Sequence, residues 1–118
     1  MFKVLLEVLD LPRLPNAMGW GNLNRYFEQK KWVRKIAQAG IGKAPQEPLK
    51  KARVTVTRFS SKAPDTDNLF ASLKPVVDAL KTNKFIEDDS PEHVALKAAW
   101  EKAKRYEKRI TILIEEDV

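Results

Sequence analysis

Hydrophobic positions along this chain fall into two kinds of pattern, short strand-like runs and one helical stripe. Phe2 to Leu9 is an apolar, β-branched run that predicts a first strand, stopped by Pro12 and Pro15. Ala52 to Phe59 alternates, with Val54 and Val56 on one face and Arg53, Thr55 and Thr57 on the other, which predicts a second strand. Arg109 to Glu115 predicts another. Between them, Leu69, Leu73, Val76, Val77 and Leu80 repeat at the spacing of one helical face. Pro75 falls inside that stripe, so the helix must either kink there or restart with Pro75 in a first turn. An earlier helix is expected from about Leu23 to Ala39, capped by Asn22 or Asn24 and ended by Gly40 and Gly42. Gly19 and Gly21 mark 16–22 as a loop, and Pro45 and Pro48 do the same for 40–51. His93 to Lys104 is ambiguous. Its Ala, Leu, Lys and Glu favour a helix, yet Val94, Leu96, Ala98 and Trp100 alternate as in a strand.

With 118 residues, one domain with one core is expected. No apolar run approaches the length of a membrane span, and Glu7 and Asp10 interrupt any signal-peptide core at the start. The chain has no cysteine, which excludes disulfides, thiolate metal sites and cysteine nucleophiles and fits a cytoplasmic location.

Charge changes the picture most. Residues 1–64 carry 13 Lys and Arg against 4 Asp and Glu, whereas residues 65–118 carry 9 against 12, giving the net +6 of the chain. An excess of cations favours an anionic partner, nucleic acid first and an acidic membrane surface second. The acids concentrate at Asp65, Asp67 and the run Glu87-Asp88-Asp89. Cations that hold a phosphate backbone, around carboxylates that hold a divalent ion, are what a metal-dependent nuclease needs. Each feature also has an ordinary reading. Asp67 can cap a helix and Asp65 can belong to turn chemistry. Lys74 and Asp78 can form an i,i+4 pair worth a few tenths of a kcal/mol. Arg25, Lys30, Lys31, Arg34 and Lys35 are candidate phosphate contacts or simply a solvated helix face. Tyr26, Phe27 and Trp32 are read as core rather than as base-stacking groups. Trp20 is the better stacking candidate, and His93, the only histidine, is expected in an exposed loop. No glycine-rich phosphate loop or serine triad is present.

The pattern Asp65-x-Asp67-Asn68-Leu69, followed by Lys74-x-x-x-Asp78-Ala79-Leu80 and Asp88-Asp89, resembles that of the RusA-type Holliday-junction resolvases. These are small, dimeric, magnesium-dependent endonucleases encoded by phages and prophages. The resemblance covers Pro64 to Val94 at residue level. It implies Asp65, Asp67 and Asp89 as catalytic metal ligands, Mg2+ as cofactor with Mn2+ as a substitute, Lys74 as the catalytic lysine, and a homodimer acting on branched DNA in recombination and repair. The candidate dimer surface comprises Tyr26, Phe27 and Trp32 together with Leu11, Leu14 and Met18. One departure stands out. Family members place the lysine four residues after the second aspartate, where this chain has Ala71; Lys74 lies three residues further on. Seven residues from Asp67 come within roughly 20° of two full turns, so the helix face is almost kept. The resemblance also reads Val94–Glu101 as a strand hairpinned to Arg109–Glu115. The expected fold is then a single mixed α/β (α+β) domain, β-α-β-α-β-β, over residues 1–118. The expected function is resolution of four-way junctions by paired nicks. A non-catalytic nucleic-acid-binding protein and a nuclease for other branched DNA are the alternatives.

Overall fold

The computed structural model describes residues 1–15 and 22–117. Met18, Gly19, Trp20 and Gly21, named above, lie outside them. Four strands, β1 (Lys3–Val8), β2 (Ala52–Ser60), β3 (Val94–Lys102) and β4 (Arg109–Glu116), form one mixed sheet in the order β1-β4-β2-β3. Helices α1 (Asn22–Ala39), α2 (Thr66–Ser72) and α3 (Lys74–Thr82) complete the domain, with a short 3-10 turn at Arg105–Glu107. The strand boundaries expected from patterning hold to within a residue or two.

The core lies between one sheet face and the helices. Leu6, Val8, Val54, Val56, Ile110, Ile112 and Ile114 alternate inward and meet Trp32 and Ile36 of α1 and Val76, Val77 and Leu80 of α3. The opposite sheet face is more open, and Leu5 on it is 57% exposed. Burial of one face only is why β2 reads as an alternating sequence. Two expectations about this core need correction. Trp32 is fully buried, but Tyr26 and Phe27 are exposed and pack edge-to-face on one another at 5.7 Å. An 18-residue helix that buries the Trp32–Ile36 stripe must turn Tyr26 and Phe27, six and five positions before Trp32, largely to solvent.

The second correction concerns the hairpin. β3 pairs only with β2, in parallel, while β4 pairs antiparallel with β1 on one side and β2 on the other. The chain leaving β3 therefore crosses the end of β2 before entering β4. The reason lies in the side chains. β4 presents three fully buried isoleucines and belongs in the sheet centre, whereas β3 carries Lys97, Glu101 and Lys102 exposed and suits an edge. β1, β2 and β3 thus run the same way, and their C-terminal ends share one rim of the sheet.

Pro75 restarts the helical stripe rather than kinking it. Leu73 N–H bonds the Phe70 carbonyl, closing a tight i→i−3 turn, and Pro75 then occupies the first turn of α3, where a missing N–H costs nothing. α1 ends at Ala39 with Gly40 next, as expected.

Candidate functional site

The segment 61–65 leaves the C-terminal end of β2 and delivers Asp65 to the N-cap position of α2, with Asp67 in its first turn. Both side chains are exposed. Asp65 makes no capping hydrogen bond; Asn68 Nδ2 approaches its carboxylate at 3.5 Å. Asp67 is not the cap either. Its charge sits favourably near the positive helix end, and both carboxylates keep lone pairs turned to solvent.

Asp89 comes from the other direction, in the loop between α3 and β3. That loop runs alongside α3 and is pinned there by charge. Lys74, Asp78 and Lys81 lie on one stripe of α3. Lys74 Nζ stands 3.8 Å from Asp78 Oδ1 and 3.9 Å from Asp89 Oδ2, and Lys81 Nζ is 3.2 Å from Asp88 Oδ1. The Asp88 carboxylate accepts the Asp89 backbone N–H and meets Lys81, which together hold it below its ordinary range. Asp78 behaves oppositely. Burial, then a hydrogen bond shared with Asp89, push it up to about 6. The Asp89 carboxylate beside it disfavours a charge on Asp78, and Lys74 between them offsets only part of that repulsion.

Of the four residues singled out for catalysis, then, Lys74 and Asp89 are in contact, while Asp65 and Asp67 stay at the start of α2. Among the described residues no three acidic or histidine side chains gather closely enough to hold a metal ion. A groove of about 790 Å3 has Arg25, Gln29, Phe70, Lys74, Asp89 and Leu96 among its walls. Asp67 precedes Phe70 and Ala71 by three and four residues on α2, so it shares the helix face that borders this groove.

The cations of α1 divide by face. Lys31 and Lys35 turn to Asp10, at 3.6 and 3.5 Å, and Lys31 also reaches Glu28 at 2.8 Å. Glu28 is buried and accepts the Trp32 Nε1–H and the Arg13 backbone N–H. Burial works to raise Asp10, but the Leu11 N–H and the two lysines outweigh it and keep it low. Lys30 and Arg34, one turn apart, instead border a cleft with Asp78 and Thr82, and Arg25 faces the larger groove.

The chain matches no protein-family model and no curated protein. The site must therefore be read from its own chemistry. Its donors are carboxylate oxygens, the hard ligands that suit Mg2+, which commonly takes one or two carboxylates and completes its shell with water and substrate phosphate. Asp65, Asp67 and Asp89 fit that donor chemistry without forming a closed cage.

Sequence reasoning passes over two groups. It finds Asp78 only as a helix partner of Lys74, although the spacing from Lys81 already places three alternating charges on one stripe. Glu28 gives no signal, because nothing local distinguishes a buried glutamate from the solvated ones beside it. His93 sits in a loop as expected, but it is half-buried, with Nδ1 2.8 Å from the Lys50 carbonyl oxygen.

Proposed function

We propose that this protein is a magnesium-dependent DNA endonuclease that resolves four-way junctions, acting in the cytoplasm as a homodimer. One observation carries the reading. Lys74 and Asp89, fifteen residues apart in the chain, meet at 3.9 Å on the wall of a groove that also takes in Phe70 and Ala71, one helical turn from Asp67. The register departure at Lys74 thus leaves the lysine beside an acidic residue of the same motif. Asp65, Asp67 and Asp89 would hold the metal, which when bound supplies charge neutralisation at the phosphate and activation of water. Lys74 carries a positive charge beside that position and can steady charge that develops on phosphate or leaving oxygen. Arg25 lines this groove, and Lys30 and Arg34 border the cleft beside Asp78, where they would hold the backbone electrostatically.

The pinning of Asp88 and Asp89 to Lys81 and Lys74 favours a second reading, a nucleic-acid-binding protein whose acids serve only to tether a loop. One assay separates them. A synthetic four-way junction, a forked duplex and a linear duplex are incubated with the full chain and Mg2+ or Mn2+. Paired nicks in the junction are expected, abolished by Asp65→Asn, Asp67→Asn or Asp89→Asn while junction binding persists. Binding without cleavage under both metals would establish the tether reading, and preferential cutting of the fork would point to another branched substrate.

A further inference from the structure

We propose that the turn from β3 to β4, residues 102–109, is a second DNA contact, in which Tyr106 stacks on an unpaired base and Arg105 and Lys108 hold the flanking phosphates. It rests on the nucleic-acid-binding part of the reading above. The turn holds five cations, Lys102, Lys104, Arg105, Lys108 and Arg109, against the single carboxylate of Glu107. Two of the cations are engaged: Arg109 lies 4.0 Å over the Phe59 ring and 3.4 Å from Glu7, and Lys104 lies 5.9 Å over the Tyr106 ring. Arg105 and Lys108 make no ion pair with any described residue, unlike Lys31 and Lys35 of α1. Between them Tyr106 is 80% exposed, its ring outside the core. Stacking on an aromatic face between backbone-binding cations is how single-stranded nucleic acid is held without sequence preference.

The position of the turn decides the partner. It does not sit on a remote edge but is fastened to the strand that feeds the acidic loop. Ala103 N–H bonds the Ser60 carbonyl at 3.0 Å, and Trp100 Nε1–H donates to Ser60 Oγ at 2.9 Å. Ser60 is the last residue of β2, and five residues on is Asp65. Five residues reach at most about 18 Å. Three further residues lead from Ala103 to Tyr106, at most about 11 Å, so the turn lies within roughly 30 Å of the acidic loop, or about nine nucleotides at ~3.4 Å of helix axis per phosphate on one strand. The turn is also rigid enough to present its groups. The Glu107 carboxylate accepts the Lys104 N–H at 3.2 Å, and Arg109 donates to the Glu107 carbonyl at 2.9 Å. Base stacking is interrupted at the crossover of a branched molecule and continuous through a linear duplex, so a base is more readily exposed to Tyr106 there and this turn favours branched substrates.

The test is fluorescence anisotropy of the full chain in EDTA, on a labelled four-way junction, a linear duplex and single-stranded DNA, with co-sedimentation on anionic phospholipid vesicles in parallel. Tyr106→Ala should weaken binding to junction and single strand by about 5- to 150-fold, with little change on duplex, and Tyr106→Phe should restore it. Arg105→Glu with Lys108→Glu should flatten the salt dependence on all three DNAs, by about 0.9 in slope for each phosphate no longer held. Circular dichroism checks that each variant is folded, which exposed positions permit. Unchanged junction binding in both variants overturns the proposal, as does a loss of binding confined to the vesicles. If wild-type protein nicks junctions while the variants bind them normally, the turn fails and the endonuclease reading stands. If turn-dependent binding appears without metal-dependent cleavage, the endonuclease reading fails and the turn stands.

Discussion

At the scale of single residues, Asp78 is the group whose environment most alters its chemistry. Its carboxyl, ordinarily near 3.8, is pushed up to about 6 by burial and by Asp89. The folded state therefore binds a proton more tightly than the unfolded chain between those values. Stability from this group is full below about pH 4 and is lost as pH rises through about 6. Metal-free protein should thus show a melting temperature that falls from about pH 4 to about pH 6 and levels off above it, and Asp78→Asn should flatten that slope. An equally steep slope in the variant would assign it to another group. Gly40 is a residue-scale constraint of a different kind. A Cβ there would stand 2.6 Å from Phe85 Cζ, on a ring that is itself 1% exposed. Gly40→Ala should cost about 1–3 kcal/mol by overpacking, read as a lower denaturation midpoint with unchanged m-value.

At the scale of elements, α1 is two surfaces on one cylinder. Its inner stripe of Trp32 and Ile36 is core, and Lys31 closes over the buried Glu28 carboxylate at 2.8 Å. Removing that charge-assisted bond and adding a like charge should destabilise the fold. Lys31→Glu should lose on the order of 2 kcal/mol, seen in thermal denaturation. Lys30→Glu and Arg34→Glu sit on the other face and should leave the melting temperature nearly unchanged. They should instead weaken DNA binding and lower its salt slope by about 0.9 each. A salt titration of the three variants beside wild type checks the division. If Lys31→Glu weakened DNA binding while the fold kept its melting temperature, the assignment of the faces would be reversed.

At the scale of the whole molecule, one copy measures 36 × 30 × 25 Å and carries one candidate cutting site. A four-way junction needs two nicks in opposed strands, so two copies about a two-fold axis match its symmetry. Among the surfaces expected to join them, Trp32 is excluded by burial, whereas Tyr26 and Phe27 are exposed neighbours on α1. Light scattering at micromolar concentration should give the mass of a dimer, and Phe27→Asp should shift it toward the monomer. A monomer that still makes paired nicks would refute the two-copy requirement. No helix among the described residues is long and apolar enough to cross a membrane.

Local pattern alone placed β1, β2, β4 and α1 to within a residue or two, whereas the strand at 94–102 was legible only through the resemblance and the stripe over Leu69–Leu80 divides into α2 and α3. Period-two alternation over Val54–Val56 and a three-to-four stripe over Leu69–Leu80 each have one geometry that buries them. The motif residues could likewise be named, because their types and spacing are local properties. Tertiary structure decided what neither period nor spacing encodes. A strand pattern records which face is buried but not which strand lies beside it, so β4 took the centre and β3 the edge against the expected hairpin. A helix pattern records a buried stripe but not what faces the remainder, so the pairing of Lys31 with Asp10, and of Lys74 and Asp78 with Asp89, emerged only when those acids were folded against them. Burial and ion pairing depend on segments far apart in the chain meeting one another, and they meet only once the sheet has chosen its order.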